Sequence, residues 1–171
     1  MLYNQPLLAP EFLDWVKNQN FNDSIILELG SGASTFFFSK FFKQVISYES
    51  KENYYNSILA DIKFNNITNI DLYIQTPNLF SDLSFIDHIK LADVILIDNL
   101  GIPRINMAQI VNEFKKENSI IVLDNGTRNM YAYQFLKDNY YSIDFLREDE
   151  EGLTETSVFF KKMNSKDRVF R

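Results

Sequence analysis

Apolar residues arrive along this chain in short blocks separated by amphipathic stretches, and most blocks close on a carboxylate. Ile25-Ile26-Leu27-Glu28-Leu29 reads as a buried strand beginning near Ser24. Val45-Ile46-Ser47-Tyr48-Glu49, Asp93-Val94-Ile95-Leu96-Ile97-Asp98 and Ser119-Ile120-Ile121-Val122-Leu123-Asp124 read the same way. Ile70-Asp71-Leu72-Tyr73-Ile74-Gln75 alternates and forms a further strand that Pro77 ends. Helical spacing of apolar residues predicts helices over 51–64, 83–89, 105–116 and 130–138. Pro10 opens a short helix through Lys17, with proline in its first turn. Ser34 or Thr35 caps a helix through Phe42, and Phe36, Phe37, Phe38, Phe41 and Phe42 are expected in the core. Two last strands, near 141–146 and 156–161, have no helix between them and should pair antiparallel.

This alternation implies an α/β fold: a seven-stranded, mostly parallel sheet with an antiparallel last strand and helices on both faces. One domain is expected over residues 1–171, with a helical extension over 1–20. Ligands of such sheets bind beyond the carboxyl ends of the strands, where Glu49, Asp98 and Asp124 all fall.

The first strand runs into Gly30-Ser31-Gly32-Ala33-Ser34-Thr35. A glycine turn of this kind lets backbone approach an adenosine-type ligand, with amides of the next helix start facing it. A dinucleotide fingerprint wants a third glycine where this chain has Thr35. Glu28, two residues before the first glycine, would repel a pyrophosphate but would meet a cationic amino group. Both details favour S-adenosylmethionine. The alternative for Glu28 is a carboxylate that orders the loop by accepting backbone amides.

With 171 residues, 46% hydrophobic, the chain can bury a full globular core. Its net charge of −6 argues against a broad nucleic-acid footprint. The absence of cysteine excludes disulfides, thiolate metal sites and a cysteine nucleophile. No secretory signal is expected from Met1-Leu2-Tyr3-Asn4-Gln5-Pro6, nor is a membrane span, so a cytoplasmic protein is the default. No G-x-S-x-G elbow and no P-loop lysine occur.

On Glu28-Leu29-Gly30-Ser31-Gly32, Glu49, Asp98 and the terminal strand pair, the chain resembles the class I S-adenosylmethionine-dependent methyltransferases over nearly its whole length. The resemblance implies a Rossmann-like methyltransferase fold and S-adenosylmethionine as cofactor. It implies that the methionine end lies over Gly30, Ser31 and Gly32, with Ser34 and Thr35 in the same loop and Glu28 near the ammonium, through water or directly. Glu49, with Ser50 beside it, would take the ribose hydroxyls. Gln75 and Thr76 would sit at the adenine edge, and Asp98 beside both cofactor and acceptor. Gly30 to Thr35, Asp124-Asn125 and Thr156-Ser157-Val158-Phe159-Phe160 are also similar to small bacterial methyltransferase-like proteins, which makes sugar or surface-glycan hydroxyls candidate acceptors. Asp98-Asn99-Leu100-Gly101 lacks the Pro-Pro-aromatic motif of the adenine-methylating enzymes, so a nucleic-acid base is not the expected target.

Val122-Leu123-Asp124-Asn125 resembles the fifth-strand metal motif of the cation-dependent O-methyltransferases. That resemblance implies that Asp98, Asp124 and Asn125 hold Mg²⁺ or another divalent cation, a hard all-oxygen set suited to such an ion. Read without metal, Asp98 lines the cleft while Asp124 and Asn125 cap the following helix. The catechol enzymes place a lysine base after the fourth-strand acid; here Asn99-Leu100-Gly101-Ile102-Pro103-Arg104 follows instead. Asp98 itself, a metal-bound alkoxide or His88, the sole histidine, would have to serve as base. The expected activity is methylation of a small-molecule or glycan hydroxyl, and a homodimer is compatible with the chain. The alternatives are a non-catalytic adenosyl-ligand or partner-binding module with this fold, and a dinucleotide or nucleotide-sugar enzyme.

Overall fold

In the computed structural model, which describes residues 5–162, every apolar block is a strand. β1 (Ile25–Leu29), β2 (Gln44–Glu49), β3 (Ile70–Ile74), β4 (Val94–Ile97) and β5 (Ile120–Asp124) run parallel. β6 (Tyr140–Asp149) and β7 (Gly152–Lys161) form the final hairpin. The sheet order is β3-β2-β1-β4-β5-β7-β6, with β7 antiparallel to both neighbours. The expected seven-stranded, mostly parallel sheet is present. The first four residues of the expected N-terminal extension lie outside the described residues.

Alternate residues of the central strands enter two cores, as parallel strands covered on both faces require. Leu27, Leu29, Ile46, Ile95, Ile97, Ile121 and Leu123 pack under α4 (Leu83–Leu91), α5 (Arg104–Phe114) and α6 (Met130–Asn139). Ile26, Val45, Val94, Leu96 and Val122 face α1 (Pro10–Lys17), α2 (Ala33–Phe38) and α3 (Glu52–Phe64). Phe38 and Phe85, one in each core, are fully buried, and burial of such a side chain stabilises the fold by about 1.5–3 kcal/mol.

Two expectations change. α2 stops at Phe38 rather than Phe42, where the amides of Phe41 and Phe42 both converge on the Phe38 carbonyl at 2.9 Å. Phe38 and Phe42 are buried as expected, whereas Phe36, Phe37 and Phe41 only flank the core. The last hairpin is also longer than its apolar pattern, so Arg147 and Asp149 lie on β6 at the ligand end of the sheet.

β1 and β4 come so close at that end that only glycine fits after Leu29. Gly30 has φ of +102°, and a β-carbon there would lie 2.7 Å from the Asp98 carbonyl oxygen. Gly32 faces open space. Gly30→Ala is therefore expected to cost more than about 2 kcal/mol in urea unfolding, and Gly32→Ala less than about 1 kcal/mol. Equal losses would contradict this placement.

Candidate active site at the strand ends

Glu28 is the fourth residue of β1 and is wholly buried, its side chain turned towards α2. Its Oε1 accepts from the Ser34 hydroxyl at 2.5 Å. Its Oε2 accepts from Thr35 at 2.5 Å and Ser47 at 2.6 Å. Ser47 is directly across from Glu28 on β2, and its hydroxyl also bonds Ser31 at 2.7 Å. Thr35 Oγ1 accepts in turn from the Gly32 amide at 3.0 Å. The glycine turn is thus tied through three hydroxyls to one carboxylate beneath it. Burial pushes the Glu28 carboxyl up from its ordinary value of 4.5 to about 7, against the lowering effect of those hydroxyls. Glu28 does not line the cavity, and its oxygens are bound by hydroxyls of the loop and of β2. Thr35 is buried with it.

Above the turn lies a cavity of about 880 Å³. Gly30, Ser31, Gly32 and Ser34 line it from the β1 end, and Glu49 and Ser50 from the β2 end. The Glu49 oxygen Oε1 accepts from the Lys51 amide at 2.7 Å at the start of α3. Among the described residues its other oxygen has no hydrogen-bond partner, so one acceptor remains for a ligand. Six carboxylates, Glu49, Asp98, Asp124, Asp149, Glu150 and Glu151, line the cavity against four cations, Lys51, Arg104, Arg128 and Arg147.

Asp98, Asp124 and Asn125 also meet in this cavity, at the ends of β4 and β5. Sequence reasoning missed what accompanies them. The Arg104 guanidinium, buried at the first position of α5, donates Nη2 to Asp98 at 2.7 Å, Nε to the Asn99 carbonyl at 3.3 Å and Nη1 to the Asp124 carbonyl. Arg147 donates to Asn125 Oδ1 at 3.0 Å and lies 3.9 Å from Asp124. Asp124 is further held by Thr156 at 2.6 Å. Arg128 pairs with Asp149 at 2.5 Å and Glu151 at 3.2 Å. Burial and the Asp124 charge push the Asp98 carboxyl up, while Arg104 opposes them; Asp124 is likewise raised by burial. Three arginine charges and a set of oxygens of which all but one already accept hydrogen bonds do not fit a divalent ion, and among the described residues no metal-ligating cluster of His, Cys, Asp and Glu occurs. The only sequence signal for Arg104 was its position just after Pro103, where a helix begins.

The remaining candidates lie elsewhere. His88 sits on α4, where its Nδ1 bonds the Tyr48 hydroxyl at 2.8 Å and its ring packs against Tyr73. It does not line the cavity, because Tyr48 points to the opposite core from the glycine loop. Gln75 and Thr76 follow β3 outside the cavity lining, although the Gln75 amide is fixed to the Glu49 carbonyl at 2.7 Å.

The strand order and the two helical layers are those of the Rossmann-like methyltransferase fold. Solved structures confirm the likeness. An O-methyltransferase from Bacillus cereus, in complex with S-adenosylhomocysteine, superposes with a TM-score of 0.71 at 15% identity, covering 93% of this chain and 85% of that one. A precorrin-6y C5,15-methyltransferase from Geobacter metallireducens gives 0.70 at 17% identity, over 88% and 85% of the two chains. A putative O-methyltransferase from Klebsiella pneumoniae gives 0.68 at 14%, over 95% and 84%. At these identities the shared property is the fold. No protein-family model and no curated protein matches the chain. Among the described residues no helix is long and apolar enough to cross a membrane.

The raised Glu28 carboxyl has a consequence for stability. Between 4.5 and about 7 the folded state holds a proton that the unfolded chain has released, so this group's contribution is full below pH 4.5 and lost as pH rises through about 7. Glu28→Gln should flatten the decline between pH 5 and 8 by up to about 3 kcal/mol in urea unfolding at stepped pH. An unchanged difference between variant and parent across that range would contradict the assignment.

Proposed function

We propose that this chain is an S-adenosylmethionine-dependent methyltransferase that modifies an oxygen of a small molecule or glycan in the cytoplasm. One observation carries the reading: Gly30 and Gly32 open into the same cavity as a Glu49 carboxylate with a free oxygen. The methionine end of the cofactor lies over the glycine turn and the ribose hydroxyls meet Glu49, with Ser50 beside it. An excess of acids in the cavity favours a ligand with a sulfonium and an ammonium over a nucleoside diphosphate. The cofactor supplies a methyl group on a positively charged sulfur.

The acceptor enters through an adjoining hollow of about 450 Å³ that shares Arg104 and Asn125 with the main cavity. Asn99, Asn125, Asn129 and Arg128 line it, a set of amides and a guanidinium suited to hydroxyl-rich ligands. Asp98 lines the main cavity beside Arg104, which both hollows share, and takes the acceptor proton as the oxygen attacks the methyl carbon. Its raised proton affinity brings it towards that task at neutral pH.

A second reading, a non-catalytic adenosyl-binding module, is favoured by the Asp98–Arg104 ion pair, which engages the carboxylate proposed as base. Both readings require cofactor binding, and only the first requires turnover of an acceptor. Calorimetric titration with S-adenosylhomocysteine is expected to show binding that Glu49→Ala weakens at least tenfold, about 1.4 kcal/mol. No heat of binding to folded protein at millimolar ligand, or an unaffected Glu49→Ala variant, would refute the cofactor assignment.

A further inference from the structure

The three residues whose spacing resembles a divalent-metal motif are joined by guanidinium groups. Asp98, Asp124 and Asn125 offer five oxygens in all. Asp98 Oδ1 is taken by Arg104 at 2.7 Å. Asp124 Oδ1 accepts from Thr156 at 2.6 Å, and its Oδ2 accepts from the Asn125 amide at 2.7 Å. Asn125 Oδ1 accepts from Arg147 at 3.0 Å and Thr154 at 3.1 Å. Among the described residues only Asp98 Oδ2 lacks a donor.

Arg104 is also anchored where a bridging ion would act. It reaches Asp98 after β4, the Asn99 carbonyl beside it and the Asp124 carbonyl at the end of β5, and its side chain is 8% exposed. A guanidinium holds its charge at every accessible pH, so it cannot yield its place by losing a proton as a lysine could. A divalent ion entering between Asp98 and Asp124 would have to displace three hydrogen bonds and sit beside two fixed positive charges.

We propose that Arg104, supported by Arg147, is the resident cation of the Asp98–Asp124 pair and excludes divalent metal ions from it. The two arginines neutralise the acids and tie the ends of β4, β5 and β6 together. The site is thereby cation-independent, and Arg104 sets that property. This inference stands apart from the methyl-transfer reading, because metal binding is measured without cofactor or acceptor.

Titration with Mn²⁺, followed by the electron paramagnetic resonance signal of the free ion, tests it. The parent protein is expected to bind no more tightly than about 1 mM. Arg104→Gln with Arg147→Gln keeps amide donors for the carbonyls and removes both charges. That variant, shown by circular dichroism to be folded, is expected to bind Mn²⁺ at least tenfold more tightly than the parent. Adding Asp98→Asn should then abolish the gain. A folded double variant with no gain would overturn the proposal. So would parent protein that binds Mn²⁺ more tightly than that limit and loses it on Asp98→Asn, a result readable even where the double variant fails to fold.

Discussion

A single buried carboxylate holds the ligand end of this sheet in shape. Glu28 has no exposed surface, and ionising it there without partners would be prohibitive. The hydroxyls of Ser34, Thr35 and Ser47 supply those partners, and they come from two elements of the ligand rim. Ser34 and Thr35 open α2, and Ser47 lies in β2. By satisfying one acid, the chain fixes where the glycine turn sits relative to the second strand. The cavity above Gly30 and Gly32 and the position of Glu49 both follow from it.

The other half of the cavity is organised by the opposite charge. Arg104 comes from the start of α5, Arg147 from β6 and Arg128 from the turn before α6. Each meets an acid from a different element: Asp98 after β4, Asp124 at the end of β5 and Asp149 at the end of β6. Buried or half-buried pairs of this kind add little net stability against an apolar alternative but demand a single arrangement. They place a charged wall in the same cavity as the glycine turn. One side of the cavity is shaped by an acid outside its lining, the other by lining acids that arginines hold in place.

Much of this was legible in the order of residues. Val94–Ile97 is apolar throughout, as a strand buried on both faces must be, and the acids that follow such strands mark the ligand end. Gly30, Gly32, Glu49 and Asp98 were identified from that logic and do converge. Glu28 was read from its distance to the glycine, as a partner for a ligand ammonium, and the three hydroxyls that hold it were not foreseen. Four residues into β1, it lies opposite Ser47, and a serine in an otherwise apolar strand was the overlooked clue. The arginines were illegible for another reason. Arg104 returns to Asp98 only because the intervening chain turns at Gly101, with φ of +87°, and Arg147 arrives through the full length of a strand whose end the apolar pattern did not mark. Asp-Asn after a fifth strand has the same spelling whether an ion or a guanidinium fills the space beside it.

The central claim is that this cavity holds a sulfonium nucleoside with its amino-acid end over the glycine turn. A crystal structure of the protein soaked with S-adenosylhomocysteine tests it most directly. The account predicts the thioether ligand lying from Gly30–Gly32 to Glu49, its ribose hydroxyls on the free Glu49 oxygen and its sulfur facing Asp98. Ligand bound in another part of the molecule, or a vacant cavity at saturating ligand, would contradict it.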